Sequence, residues 1–279
     1  MSNRLRVHPL IEGTLAEQQT LWGELLRLDG ALGGLVLRVP SGSTTWPDDL
    51  DRDGRELYVR DTLGPAISAA EAGTFGWPNA DGVVLFDHRP PAEPQNGRET
   101  PYVDRAIYST RDRQFHQHAV SVLRSRLQVA SLVGSFAIPR VPRRAELEYA
   151  DNAGRTSIGQ LAARSDALFI DLRSSGTDET WAGKDEANRI RTAIATASAA
   201  LTASGAPSGA EVVPVLSLQT DPDTGSGRVL TRGELHHQVS VCARAERVHR
   251  LVLWVDGADA VDVANACPLA GAISNAAGW

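Results

Sequence analysis

The sequence predicts an α/β fold, a single (β/α)8 barrel of the TIM type, and three observations lead to that expectation. Short, continuously apolar runs alternate with stretches of helical periodicity, as they do when parallel strands are buried on both faces. The chain has 279 residues, a length that suits one such barrel. No Gly-x-Gly-x-x-Gly motif follows the first apolar run, which disfavours the open dinucleotide-binding sheet, the main alternative with this alternation.

The first half of the chain supplies two predicted helices and three predicted strands. Residues 1–13 carry no strong pattern and are expected to be an N-terminal extension of the barrel. A helix is predicted over 14–28, because Thr14 and Glu17 have the spacing of a capping box and the leucines that follow share one face. The other elements predicted in this half are strands at 35–39, 83–87 and 129–136 and a helix at about 113–127.

The second half repeats the alternation. It predicts strands at 167–171, 212–218 and 251–255, a helix at 184–203, and a further helix that begins at the capping-box pair Thr231 and Glu234. These strands bring the clear total to six, so two more would have to come from about 56–60 and 269–274. Long loops are expected at about 88–112 and 137–157, and the whole chain is expected to be one domain.

Charge and composition exclude several classes of partner. The chain has 28 Lys and Arg against 34 Asp and Glu, and no basic block that would neutralise a phosphate backbone, so nucleic-acid binding is not expected. No apolar run approaches the roughly 18–20 residues of a membrane span. The first residues lack the apolar core of a signal peptide, which predicts a cytoplasmic protein or one that is otherwise not classically secreted. Cys242 and Cys267 have no metal-ligand spacing, and neither a metal nor a cofactor is expected.

Three predicted strands end in an aspartate. Asp87, Asp171 and Asp256 follow apolar runs, and the carboxyl ends of barrel strands meet at one mouth. Further polar and aromatic residues are expected beside them as substrate-binding groups: Arg89, Arg173, Gln219 and Trp254, with Arg38 as an additional candidate. Paired carboxylates with an aromatic wall suit sugar chemistry, in which one group protonates a leaving oxygen and another stabilises positive charge. We therefore take the three aspartates as candidate catalytic residues.

The same aspartates have a structural interpretation. A carboxylate at the end of a strand often caps the next helix or pairs with a nearby arginine. Arg89 and Arg173 each lie two residues beyond an aspartate, which is a suitable spacing for such pairs. Both interpretations predict a polar mouth, and only the first predicts catalysis there.

The segment ADGVVLFDHRPPAEP contains a strand of the form G-(four apolar residues)-D. It resembles the strand of the form G-(four apolar residues)-D-x-E in the hyaluronidases, a family of TIM-barrel glycoside hydrolases. The resemblance continues in order over about residues 33–275, through VLRSRLQVASLVGSF, RTSIGQLAARSDALFIDLRSS, VLTRGELHHQVSVCARAERVHRLVLWVDGAD and ANACPLAGAISN. The order of these segments, more than any one of them, carries the resemblance, which implies a hyaluronidase-like barrel acting on or binding an amino-sugar-containing glycan.

The resemblance fails where the family has its chemistry. In the family the Asp of D-x-E orients the 2-acetamido group of the substrate, and the Glu is the general acid. Asp87 matches the first position, but Arg89 occupies the position of the Glu, and an arginine has no proton to give at ordinary pH. The family's strand-ending tyrosine is also absent, since the chain reads Ile170-Asp171-Leu172. Trp254 fits the family's tryptophan in the seventh strand.

The resemblance in fold, together with the missing general acid, leaves two candidate functions. The first is a divergent glycosidase, in which Asp87 orients the acetamido group and Glu93, Asp171 or Asp256 supplies the acid. The second is a catalytically inactive barrel, a pseudoenzyme that binds a glycan or serves as a structural component, for example of a virion. The expected partner in either case is a glycan or oligosaccharide, and the oligomeric state is left open.

Overall fold

The structure is a computed structural model that describes residues 4–40, 50–73, 82–87, 110–127, 132–137, 165–173, 183–219, 228–256 and 271–279. Its strands are β1 (Arg6–Glu12), β2 (Val36–Pro40), β3 (Val83–Asp87), β4 (Leu132–Ala137), β5 (Ala167–Asp171), β6 (Glu211–Ser217) and β7 (Arg250–Asp256). Its helices are α1 (Leu15–Leu25), a 3-10 helix (Leu26–Ala31), α2 (Arg52–Gly73), α3 (Thr110–Arg126), α4 (Gly183–Ala203), α5 (Arg232–Ala243) and a C-terminal segment at 271–277.

The strands form one parallel sheet that curls into a nearly closed barrel. Its spatial order is β1-β7-β6-β5-β4-β3-β2, and every paired neighbour is parallel. The two end strands, β1 and β2, meet where the Gly33 amide donates to the Val7 carbonyl at 2.8 Å. This arrangement confirms the predicted α/β barrel of the TIM type.

The strands differ from the prediction at three places. The described residues contain seven strands instead of eight, and the segment 56–60 lies inside α2. Val59, Leu63 and Ile67 are fully buried there, and their spacing of four residues is that of a helical stripe. The expected strand near 269–274 is also wrong, because the described residues from 271 onward are helical. The first strand, β1, instead comes from within the expected N-terminal extension.

The predicted boundaries are close elsewhere. The strands at 83–87 and 167–171 match β3 and β5, and Thr231 and Glu234 form the expected capping box at the start of α5. Residues 88–109 and 138–157 of the predicted long loops lie outside the described residues. No helix in the described ranges is both long enough and apolar enough to span a membrane.

Alternating side chains of each strand point either into the barrel interior or outward to the surrounding helices. Inward-facing residues fill the barrel, among them Leu10, Leu85, Phe169 and Val252. Outward-facing residues pack against the surrounding helices in two further clusters. Because this alternation has a period of two, it also fixes which polar side chains face inward at the carboxyl ends of the strands.

Candidate functional site

Five polar or aromatic side chains reach the carboxyl end of the barrel interior. They are Glu12 of β1, Arg38 of β2, Asp87 of β3, Asp171 of β5 and Trp254 of β7. Each lies two residues after a residue of the apolar cluster that fills the barrel. Because side chains two residues apart on a strand point to the same face, all five face the barrel interior. The apolar interior therefore ends in a layer of polar and aromatic groups, which we call the mouth.

Arg38 joins two carboxylates at the mouth. Its Nε and Nη2 atoms donate to Oδ2 of Asp87 at 3.0 and 2.8 Å, and its Nη1 atom donates to Oε1 of Glu12. The Asp87 side chain is only 3% exposed, whereas that of Glu12 is 38% exposed. A buried carboxylate is stable when it is paired and hydrogen-bonded, and Arg38 provides that pairing for Asp87.

A second arginine binds the neighbouring carboxylate. Nε and Nη2 of Arg173 donate to the two oxygens of Asp171 at 3.0 and 2.9 Å, and the backbone N–H of Arg173 donates to Oδ1 at 3.1 Å. The two side chains are largely buried. This side-by-side geometry, with two parallel hydrogen bonds, is the strongest common form of arginine–carboxylate pair.

Trp254 connects the two ion pairs. Its Nε1 atom donates to Oε2 of Glu12 at 3.0 Å. The guanidinium carbons of Arg38 and Arg173 lie 4.7 and 4.5 Å from the centre of its ring, within the range of cation–π attraction. The indole is 8% exposed and therefore forms part of a packed layer at the mouth.

These contacts determine what the carboxylates can do. Glu12, Asp87 and Asp171 each accept hydrogen bonds from an arginine, and an ion-paired carboxylate acts as an acceptor. To serve as a general acid, one of them would have to exchange its arginine contact for a proton. Among the described residues, no three His, Cys, Asp or Glu side chains converge as ligands for a metal ion.

The structure brings together four of the seven predicted site residues: Asp87, Asp171, Arg173 and Trp254. Asp256 ends β7, where its backbone lies beside that of Glu12 in the sheet register. Gln219 lies two residues beyond β6; its backbone pairs with Val229, and its carbonyl accepts a hydrogen bond from Ser217. Arg89 lies outside the described residues. The catalytic and substrate-binding roles predicted for all seven residues stay predictions.

Sequence reasoning missed Glu12. It ends the run Pro9-Leu10-Ile11-Glu12, which has the same form of apolar residues followed by an acid that drew attention to Asp87. This apolar run is short and follows His8, so its signal is weaker than that of the strand before Asp87. Arg38, only an additional candidate from the sequence, is central because it contacts Glu12, Asp87 and Trp254.

A cavity of about 270 Å³ lies beside the mouth, bordered by β1, β2 and α2. Glu12 and Arg38 form part of its wall, so the half-exposed side of the ion-pair cluster faces open space. Asp87 and Asp171 are not among its lining residues. Among the carboxylates of the mouth whose side chains the structure describes, the accessible one is therefore Glu12, which the sequence did not single out.

Comparison with solved structures identifies the architecture. A crystal structure of bee venom hyaluronidase in complex with a hyaluronic acid tetramer superimposes with a TM-score of 0.61 at 11% identity, over 97% of this chain and 98% of that chain. A monoclinic crystal structure of bee venom hyaluronidase gives 0.61 at 12% identity, over 97% and 99%. The chain has a hyaluronidase-like fold.

The hyaluronidase-like fold confirms the resemblance seen in the sequence at the level of architecture. The glycoside hydrolase domain of PgaB (BpsB) from Bordetella bronchiseptica also matches, with a TM-score of 0.49 at 9% identity over 98% of each chain. No family model and no curated protein matches the sequence. Function must therefore be argued from the residues at the mouth.

Proposed function

We propose that the protein is a glycan-binding barrel that holds an amino-sugar-containing oligosaccharide at its mouth without hydrolysing it. The observation that carries this proposal is the pairing of the buried aspartates with arginines, Asp87 with Arg38 and Asp171 with Arg173. The fold supports the choice of ligand, since bee venom hyaluronidase binds a hyaluronic acid tetramer.

The mouth has groups that suit a sugar. Hydroxyl and acetamido groups both donate and accept hydrogen bonds, and the mouth exposes parts of Glu12 and Arg38. The edge of the Trp254 indole lies in the same layer. Charged hydrogen-bonding groups of this kind can bind the hydroxyl rim of a sugar ring, while the largely buried indole packs against Arg38 and Arg173.

Hydrolysis needs a different arrangement. Glycosidases place one protonated and one ionised carboxyl group on either side of the scissile bond. Asp87 and Asp171 are held by arginines in the mouth, and the residue at the general-acid position of the resemblance is Arg89. The residues that match the family's pattern therefore supply a positioning aspartate and no proton donor.

One observation favours the divergent glycosidase as a second candidate. Glu12 and Asp87 accept hydrogen bonds from the same guanidinium, so their carboxyl oxygens lie within roughly 8 Å of each other. Catalytic carboxylates of glycosidases are about 5–10 Å apart. If Arg38 moved aside when substrate bound, Glu12 could supply the missing acid.

A panel of hyaluronan, chondroitin and chitin oligosaccharides separates the two functions. Binding is measured by calorimetry and hydrolysis by the release of new reducing ends, for the wild type, Asp87→Asn and the exposed control Asp61→Asn. The proposal expects saturable binding of at least one oligosaccharide and no hydrolysis. Hydrolysis that disappears only in Asp87→Asn would establish the glycosidase, and a folded protein that binds none of them would overturn both.

A further inference from the structure

The barrel is incompletely closed at one seam. β1 and β2 are the two ends of the sheet order, and they are joined near the start of β1 by the Gly33–Val7 hydrogen bond. Further along, the described parts of the two strands form no ladder with each other. The cavity of about 270 Å³ occupies this seam, where Ile11, Val36 and Ala69 provide apolar wall.

Gln18 lines this cavity and carries a buried acceptor atom that lacks a hydrogen-bond partner. The side chain lines the cavity and is only 8% exposed. Its Nε2 atom donates to the carbonyl of Gly13 at 3.0 Å, which fixes the amide orientation because the opposite orientation would oppose two oxygens. Its Oε1 atom is then left buried, with no hydrogen-bond partner in the described structure. A buried acceptor left unpaired destabilises the fold by about 1–3 kcal/mol. A donor in the cavity that reached Oε1 through a small shift of the Gln18 side chain would recover that hydrogen bond.

The charges beside the cavity determine which kind of hydrogen-bond donor a ligand can bring to it. All three nitrogens of the Arg38 guanidinium already donate to Glu12 and Asp87. Two carboxylates against one guanidinium leave this cluster with one net negative charge. An anionic group would be repelled and would find no free cation among these three side chains, whereas a hydroxyl or amide N–H would be attracted.

We propose that the seam cavity binds one uncharged sugar residue, with Gln18 Oε1 accepting a hydrogen bond from a hydroxyl or acetamido N–H. Its volume lies just below the range of about 300–1,000 Å³ typical of small-molecule sites, which fits a single ring. The choice of a sugar rests on the proposed function, and the need for an uncharged donor rests on Gln18 and the Glu12 cluster. The proposal thus predicts preference for neutral over uronate-containing glycans.

The Gln18 side-chain amide is a direct reporter of this site. Its NH2 group gives its own signals in a nitrogen–proton NMR spectrum, and assignment follows from their loss in Gln18→Met. We expect titration with N-acetylglucosamine into the tens-of-millimolar range, where single-ring affinities fall, to shift these signals saturably. Glucuronate at equal concentration should leave them unchanged. Absence of a saturable shift, or an equal shift with glucuronate, would overturn the proposal whatever the mouth binds.

A cavity-filling pair of variants provides the matched control. Ala69 borders the cavity and is exposed on α2, whereas Ala199 is exposed on α4 and does not line the cavity. Ala69→Leu should abolish the Gln18 shift and weaken binding of a chitin oligosaccharide about three- to tenfold, the loss expected for one or two hydrogen bonds. Ala199→Leu should change neither.

The outcomes separate this proposal from glycan binding at the mouth. Oligosaccharide affinity that is equal in the wild type, Ala69→Leu and Gln18→Met would overturn the seam site and leave the mouth as the binding site. Conversely, a Gln18 shift with N-acetylglucosamine in a protein that binds no longer oligosaccharide would support the seam site and overturn the proposed function of the mouth.

Discussion

The guanidinium carbon of Arg173 lies 4.5 Å from the centre of the Trp254 ring while the same guanidinium pairs with Asp171. The indole of Trp254 is thereby tied to the carboxylate of a strand that is not its sheet neighbour, since β6 lies between β5 and β7. Arg38 makes the equivalent connection from Trp254 to Asp87 on β3, a strand that is also not a sheet neighbour of β7. Asp87 and Asp171, two of the three predicted catalytic aspartates, are thus part of the packing at the mouth.

Removing Arg173 should destabilise the fold strongly. Arg173→Met leaves the buried carboxylate of Asp171 without its guanidinium, and breaking a buried ion pair by losing one partner is expected to lower the free energy of unfolding by about 3 kcal/mol or more. Denaturant unfolding of the two proteins measures the difference.

The matched control is Arg60→Met. Arg60 pairs with Glu56 four residues away on α2, and both side chains are more than half exposed, so its loss should change stability by less than about 0.5 kcal/mol. Equal effects of the two substitutions would show that the Arg173–Asp171 pair does not hold the mouth together.

The capping box of α5 should make a pH-dependent contribution to the free energy of unfolding. The side-chain hydrogen bond from Arg228, followed by those from Thr231, holds the pKa of Glu234 below its usual value of 4.5. Because the folded pKa is the lower one, this stabilisation is complete above about pH 4.5 and is lost as the pH falls through the folded value. Glu234→Gln should therefore differ most from wild type at neutral pH, and the difference should shrink below pH 4.

A second variant checks that the effect belongs to the carboxylate. Thr231→Ala removes the cap hydroxyl but keeps Glu234 and Arg228, and at neutral pH it should lower the free energy of unfolding by about 1 kcal/mol. A difference between Glu234→Gln and wild type that stays constant from pH 7 to pH 3 would contradict the assigned pKa shift.

Cys242 should be inert in the folded protein. Complete burial raises the pKa of its thiol to about 12, and the thiolate is the reactive form. In a Cys267→Ser background, a disulfide reagent should label Cys242 only at the rate of unfolding and promptly in denaturant. Rapid labelling under native conditions would show that α5 is open to solvent on its inner face.

Strands made of continuous apolar residues were predictable from the sequence, whereas β1 was not. VVLFD and ALFID are buried at every position, so composition alone marks them. β1 reads RVHPLIE and contains His8 and Pro9, which weaken the apolar signal. Its place in the barrel comes from pairing with β7, a contact between the two ends of the chain that no local pattern encodes.

At residues 56–60 the sequence predicted a strand where the structure has part of helix α2. Tyr58 and Val59 favour a strand when five residues are considered, but the buried positions 59, 63 and 67 reveal a helical stripe only over a longer window. At the mouth, the spacing of Asp171 and Arg173 predicted their pairing. The contact of Arg38 with Glu12 depends on barrel closure, which brings β1 beside β2, and its contact with Asp87 depends on the pairing of β2 with β3.

The most direct measurement is a crystal structure of the protein with a chitin oligosaccharide of defined length. If the protein binds glycans without hydrolysing them, we expect an intact oligosaccharide at the mouth, with Arg38 still bound to Asp87 and Arg173 still bound to Asp171. An oligosaccharide shortened by cleavage, or an arginine displaced so that a freed carboxylate contacts a glycosidic oxygen, would contradict this expectation and identify the protein as an active glycosidase.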